Sequence, residues 1–518
     1  MQIFSFSPFG YEGTLVTVEV DLRRGIPAID MVGLADGAVK EARERMHSAV
    51  LNSGFDFPPE RIIISLSPAD LKKEGAGFDL ALALAVLAQS CGLKDTLQGP
   101  CLVMGELELS GRVRSVRGVN AAAATAAEQG IKACIVPAAN ATEAEVIEGM
   151  HVFPATDLRS AFEGLKNQHN WTCSAYPKEN SITSEVQVIF PPLSSALEFS
   201  EIRGQQNLVR GLQIAAAGNH SLLAYGSPGC GKTLALQKFP ALLPYLTAEE
   251  SQSVTRIYSL AGMLPPGHCS QNTNGKTGKV VTAPFRVPHQ SASLEGIVGG
   301  GPQCRPGEIS LAHNGVLFLD EAAEFKSSVL QTLRVPLETG AVTLSRAGRS
   351  TTFPAKFQLL AATNPCPCGN FGVPGKICLC SARAVEMYWK RFSAPLLDRI
   401  DIRVPVFLPE KDAGFCDTTE NLRKEIARAT YIQRKRQGKK NAYLLPEEIN
   451  TYCELSKDGQ ELLSEAAGQN AFSPRAVASC LKLGRTIADM AGEEKISVKA
   501  IEEAIHYRKN EGGVSMCF

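Results

Sequence analysis

The sequence predicts an α/β protein in three blocks, and three observations carry that prediction. Across residues 1–165, short Val- and Ile-rich runs alternate with Ala- and Leu-rich runs of helical length. Near residue 230 a glycine-rich loop separates an apolar strand-like run from a helix-like one. Over 406–518 apolar residues recur at helical spacing.

The first block has strand-like runs at 14–20, 62–66, 101–106 and 133–136, and helix-like runs at 36–52, 79–90 and 121–129. It reads as an α/β or α+β domain. The polar stretch 167–184 has a linker's composition, and 166–194 is assigned to one. The second block, 195–405, alternates strands and helices around Gly- and Pro-rich turns. The third, 406–518, is read as helical from runs at 419–437, 456–467, 474–491 and 497–507. Ser473 and Pro474 form a helix start, with Ser at the cap and Pro in the first turn.

Composition bounds the function classes. The 518 residues suggest about two to four domains. Hydrophobic residues make up 44% and charged residues 20%, an ordinary globular balance. Basic and acidic residues number 53 each, so a DNA-binding surface would have to be a local patch on a neutral body. The opening residues carry no secretory pattern, and the longest apolar run, 80–88, is too short to span a bilayer. Most of the fifteen cysteines lie singly in apolar contexts, as Cys91, Cys134 and Cys480 do, and read as reduced core residues. A cytoplasmic location is expected, with no membrane partner.

The strongest motif is GSPGCGKT at 226–233, a full match to G-x-x-x-x-G-K-[ST]. It consists of Gly226, Ser227, Pro228, Gly229, Cys230, Gly231, Lys232 and Thr233. A strand-like run, 221–225, precedes it and a helix-like run, 234–239, follows. The glycines let backbone N–H groups turn inward around phosphates. Lys232 then reaches the β and γ oxygens, and Thr233 offers a hydroxyl to Mg²⁺. A second apolar run ends in Asp320 and Glu321. Asp320 would complete the Mg²⁺ shell, and Glu321 would polarise the attacking water. Taken alone, such a pair also serves as a helix cap. A third run, 357–362, ends near Asn364, which would sense a γ-phosphate or, before Pro365, form a turn. These residues alone imply ATP hydrolysis with Mg²⁺.

Further segments carry a resemblance: GQQ at 204–206, PFRVPH at 284–289, GGG at 299–301, RPGEISLAHNG at 305–315, NPCPCG at 364–369 and PLLDRID at 395–401. With them the core resembles an AAA+ ATPase of the magnesium-chelatase-like group. The match extends over nearly the whole chain to the YifB/ComM family of competence-associated DNA helicases. The resemblance implies that Asn364 is the first sensor and that Arg399 is an arginine finger completing a neighbouring subunit's site. It implies that Arg475 is a second sensor on a helical lid, and that the working form is a homo-hexamer. A salt bridge from Arg399 to Asp398 or Asp401 is the alternative.

Two segments are candidates for contact with DNA. The stretch 287–308, with Gly299, Gly300, Gly301 and Arg305, resembles the insertion in the second helix of this AAA+ group. The stretch 339–353 reads as a hairpin with strands at 343–346 and 350–353, turning at 347–349. Arg346 and Arg349 lie at its tip and suit sequence-independent phosphate contact; a solvated loop is the alternative. Lys390 and Arg391 suit either DNA or a neighbouring subunit.

Cys366, Cys368, Cys378 and Cys380 form two C-x-C pairs, and four thiolates can close a tetrahedral, structural Zn²⁺ site. Gly369, Gly372, Pro374 and Gly375 between them form no core pattern, so a metal staple makes physical sense. A free reduced set is the alternative.

The first block resembles the Lon-protease-like fold. The stretch matching that fold's nucleophile, 70–79, offers Ala76, Gly77 and Phe78, and Asn120 stands where the dyad lysine is expected. A Ser–Lys dyad needs both members, so the resemblance implies a catalytically degenerate domain. The expected activity is ATP-dependent translocation on single-stranded or branched DNA, promoting branch migration during recombination or natural transformation. The alternatives are a metal-chelatase motor subunit and an ATP-dependent protease.

Overall fold

The computed structural model describes residues 2–33, 37–69, 73, 76–93, 99–168, 171, 188–264, 278–346, 349–371, 376–410 and 412–509. Most of the expected linker, and residues 70–72, 74–75 and 372–375, lie outside them.

Alternation builds the first sheet. In Arg61–Ser67 the side chains of Ile62, Ile64 and Leu66 are buried on one face, as a half-covered strand requires. Seven strands run in the order Ala28–Val32, Arg61–Ser67, Thr14–Arg23, Ile3–Ser7, Cys101–Val103, Ala133–Pro137, His151–Ala155. Thr14–Arg23 is antiparallel to both its neighbours, and the remaining pairs are parallel. The helix Asp79–Ser90 is buried from Asp79 to Ala88, between the sheet and the helices Gly37–Asn52 and Leu158–Lys166; Cys91, at its C-terminal cap beyond the buried stretch, is exposed and not the core residue expected, whereas Cys134 and Cys480 are buried.

The run read as one strand at 101–106 is two short strands, Cys101–Val103 and Glu106–Leu107. Gly105 is the reason. A Cβ there would sit 2.9 Å from Val113 and 3.0 Å from Leu80, and its carbonyl accepts the Leu80 N–H. Close helix approach breaks the strand.

The second sheet has five parallel strands in the order Phe285–Arg286, Val316–Leu319, Gln358–Thr363, Leu222–Gly226, Ile402–Val406. Both faces are covered, so its strands read as unbroken apolar runs. Leu222, Ala224, Phe318, Leu360 and Val404 face one core; Leu223, Tyr225, Leu317 and Leu359 face the other. The first of these cores is closed by the helices Gln206–Gly218, Thr419–Gln437, Pro474–Ala491 and Val498–Arg508. Ser473 caps the third of them, its Oγ accepting the Ala476 N–H at 3.1 Å.

The other core continues into the first sheet. It joins Leu102 and Ile131 to Leu317 and Trp389. The alanine-rich helix Val119–Glu128 packs on Ala248–Ala261, small side chains allowing close approach. Polar groups lock this junction. Ser259 Oγ accepts the Asn120 N–H at 3.2 Å and donates to Glu143 Oε2 at 2.7 Å. Asn140 Nδ2 donates to Glu143 Oε1 at 2.6 Å, and Asn120 Nδ2 donates to the Glu143 carbonyl at 3.0 Å.

Burial raises the Glu143 pKa above its usual 4.5, opposed in part by the bonds from Ser259 and Asn140. A carboxyl with a raised folded pKa adds stability below its unfolded value and loses it as pH rises through the folded one. Glu143→Ala leaves two buried donors without their acceptor. It is expected to lower stability by about 1–3 kcal/mol, more near pH 5 than near pH 8, read from urea midpoints at each pH.

Candidate nucleotide site

The carboxyl ends of the central parallel strands converge, which is where open α/β sheets bind ligands. The loop 226–231 leaves the strand Leu222–Gly226, and the helix Lys232–Gln237 follows it. Gly229 and Gly231 have φ of 79° and 90°, values that L side chains rarely adopt. A Cβ on Gly226 would lie 1.9 Å from the Val406 carbonyl oxygen.

Lys232 is buried, and its Nζ donates to the Gly226 and Ser227 carbonyls at 2.7 and 2.8 Å. Nζ is also 3.5 Å from Asn364 Oδ1. Thr233 Oγ1 donates to Asp320 Oδ1 at 3.1 Å. The two residues expected to share Mg²⁺ therefore touch, and a hydroxyl beside a carboxylate is a donor set that suits that hard cation. Asp320 Oδ1 also accepts the Glu321 N–H at 3.0 Å. Glu321 is exposed, with φ at 48°, a strained value for this residue.

Asn364 follows the strand Gln358–Thr363, which lies between the loop's strand and the Asp320 strand. Its amide oxygen faces Lys232, so the side chain is directed into the site as well as preceding Pro365. Gln205 carried no expected role. It is buried, and its Nε2 donates to the Cys230 and Phe407 carbonyls at 3.0 and 2.8 Å, bracing the loop from behind.

Arg399 bonds neither Asp398 nor Asp401. Asp398 pairs with Arg508 at 2.7 Å, and Asp401 pairs with His220 at 3.0 Å and accepts from Ser479 Oγ at 2.5 Å. Arg399 instead donates to the Pro395 carbonyl at 2.6 Å and forms an ion pair with Glu338. Arg475 reaches the same carboxylate at 3.2 Å. The Arg399 guanidinium, with Arg475, holds the Glu338 pKa below its usual value. Among the described residues neither arginine bonds Lys232, Thr233, Asp320 or Glu321. Nothing in the local sequence marked Glu338, which is 61 residues from Arg399 and 137 from Arg475.

The expected hairpin at 339–353 forms, and the other candidate stretch holds a short antiparallel pair. Gly299–Gly300 pairs antiparallel with Arg305–Pro306, between the helices Leu294–Val298 and Glu308–Leu311. Arg305 is exposed, and its guanidinium donates to Gln303 Oε1 at 2.9 Å. Ala341–Arg346 pairs with Arg349–Pro354, and Arg346 stands opposite Arg349. Arg349 is therefore a strand residue and not part of the turn, because the ladder continues one residue beyond the expected 350. The tip, 347–348, lies outside the described residues. Lys390 pairs with Glu386 at 2.6 Å, and Arg391 pairs with Glu324 at 3.5 Å.

The four cysteines also meet. Their sulfurs all lie within 4.8 Å of one another, and none is in a disulfide. Four thiolates so placed are a donor set for a soft divalent ion. The Asn370 N–H, with the neighbouring sulfurs, lowers the Cys368 pKa to about 6.

Comparison with known proteins agrees with this architecture. The family described as magnesium chelatase, subunit ChlI, matches residues 198–413. Its companions, subunit ChlI of Mg-chelatase and the ChlI C-terminal region, match 18–140 and 416–508. Competence protein ComM of Haemophilus influenzae is 38% identical over 98% of this chain and 97% of its own length. An uncharacterised protein, YifB, of Escherichia coli is 38% identical over 96% of this chain and 95% of its own. This chain belongs to the YifB/ComM family of magnesium-chelatase-like proteins. The 38 kDa magnesium-chelatase subunit of Rhodobacter capsulatus is more distant, 28% identical over 36% of this chain and 56% of its own. The AAA+-like fold of the YifB/ComM family implies nucleotide and Mg²⁺ use. Among the described residues no helix is long and apolar enough to cross a membrane.

Gln205→Leu removes the bond to the loop at Cys230 and the bond to Phe407 that ties it down. It is expected to weaken ATP binding about tenfold, equivalent to about 1.4 kcal/mol, in a fluorescent-nucleotide titration, with the far-ultraviolet spectrum unchanged.

Proposed function

We propose that this chain is an ATP-dependent DNA translocase or helicase, working in the cytoplasm as a homo-hexamer to drive branch migration during recombination or natural transformation. The observation that carries the ATP-hydrolysing core of this reading is the meeting of Lys232, Thr233, Asp320 and Asn364 at one end of the parallel sheet. The DNA part rests on the near full-length likeness to a protein named for competence.

In this reading the loop N–H groups and Lys232 bind the β- and γ-phosphates. Thr233 and Asp320 hold Mg²⁺, which supplies charge to the developing anion when bound. Glu321 accepts a proton from the attacking water, and Asn364 orients the γ-phosphate from the neighbouring strand. Arg399 and Arg475 exchange Glu338 for phosphate oxygens, Arg399 at the site of the next subunit. Arg305, Arg346 and Arg349 contact the DNA backbone, giving affinity without sequence choice.

The chelatase-motor reading is weaker, because the Rhodobacter subunit matches only 36% of the chain. A protease is weaker still, because Asn120 at the expected lysine position is buried and bonded to Glu143.

The test is ATPase activity with and without single-stranded or forked DNA, together with a branch-migration assay and Glu321→Gln as the inactive control. DNA that neither binds with ATP nor stimulates turnover overturns the DNA reading. Arg399→Ala is expected to leave ATP binding within about threefold while turnover falls by about 10³. Mixing it with Lys232→Ala chains is expected to restore part of the activity, since each supplies what the other lacks. Normal turnover by Arg399→Ala alone overturns the shared site. Replacing Arg346 and Arg349 by Ala is expected to flatten the dependence of DNA affinity on log salt by about one per lost phosphate contact.

A further inference from the structure

Burial is uneven among the described residues of the segment carrying Cys366, Cys368, Cys378 and Cys380. Cys366 is buried, but Ile377 and Leu379 are 80% and 88% exposed. Its sulfurs nonetheless converge. Cys366 and Cys368 Sγ lie 3.3 Å apart, Cys366 and Cys378 3.7 Å, and Cys368 and Cys378 3.6 Å. A tetrahedron with Zn–S bonds of about 2.3 Å has S···S edges of about 3.8 Å. The Phe371 N–H donates to Cys366 Sγ at 3.3 Å, an outer-shell donor to one of the four sulfurs.

The same segment touches the nucleotide site at three points. Cys366 is two residues from Asn364, and the intervening Pro365 carbonyl accepts the Trp389 indole N–H at 3.0 Å. Gly369, with φ of 76°, lies against the P-loop: a Cβ there would be 2.5 Å from Pro228 Cδ. Cys380 precedes Ser381, which caps the helix Ala382–Trp389. That helix returns Tyr388 to the sensor strand, where its hydroxyl is 3.0 Å from Thr363 Oγ1.

We propose that the four cysteines bind one Zn²⁺ as a closed tetrathiolate, and that this ion holds Asn364 and Pro228 in register, so that nucleotide affinity depends on the metal. As the Zn–S bonds form, the thiols release their protons to solvent, and no atom changes oxidation state. With four sulfur ligands the ion has no open position and takes no part in hydrolysis. The metal site stands independently of the proposed function, while its coupling rests on the nucleotide reading.

Metal content of the full chain, purified without chelator, is the first measurement. About one zinc per chain is expected, and replacement by Co²⁺ should give the absorption of a tetrahedral sulfur site. Cys368→Ser and Cys380→Ser are expected to lower zinc to below about 0.2 per chain, with far-ultraviolet spectra checking the fold. Bound iron, or no stoichiometric metal in the parent chain, overturns the zinc site. The second measurement is affinity for a fluorescent ATP analogue in parent, chelator-stripped and zinc-restored protein. About a tenfold loss on stripping, reversed by zinc, is expected. Gly369→Ala, which keeps all four ligands, should retain zinc and still bind nucleotide more weakly. Equal affinity with and without zinc overturns the coupling. A parent chain that binds zinc but no nucleotide overturns the nucleotide reading and leaves the metal site standing.

Discussion

The site depends on one placement: the strand Gln358–Thr363 lies between the strand that feeds the phosphate loop and the strand that ends at Asp320. Gln358 is part of what anchors it. Its buried Nε2 donates to the Ala215 and His220 carbonyls at 2.9 and 2.7 Å, tying the strand to the chain just before the loop strand. With that strand inserted, Asn364 emerges between Lys232 and the carboxylates. With any other order its amide would face a different edge. The geometry that brings Asn364 beside Lys232 is thus a property of the sheet, supported by helices on both of its faces.

Charge is distributed with the same economy. In the single chain, the half-exposed Glu338 carboxylate pairs with the largely buried Arg399 and with Arg475, while Lys232 donates to loop carbonyls. The proposed function has phosphate oxygens take the place of Glu338, whose carboxylate is half exposed while Arg399 is largely buried. Lys232 is thus held by its own loop, and the two arginines by a carboxylate on a different part of the chain.

The first sheet is joined to this machinery by contact, not by a linker alone. Asn120, Glu143 and Asn140 form a buried polar network with Ser259, and the apolar core runs through the junction. The position expected to hold a dyad lysine therefore serves as a fastening point.

Several local features were legible along the chain. The loop 226–233, the Asp320–Glu321 pair, the paired cysteines and the Ser473 cap are local patterns, because a turn, a cap or a chelate is set by residues a few positions apart. The helices at 419–437 and 474–491 were readable for the same reason, being spaced by the helix's own period. The tertiary structure decided the rest. It set the order of the parallel strands, the bond from Gln205 to a loop 25 residues away, the Glu338 partner of Arg399, and the Asn120–Ser259 contact across 139 residues. Those pairings follow from how cores pack, and packing joins residues whose separation in sequence carries no signal.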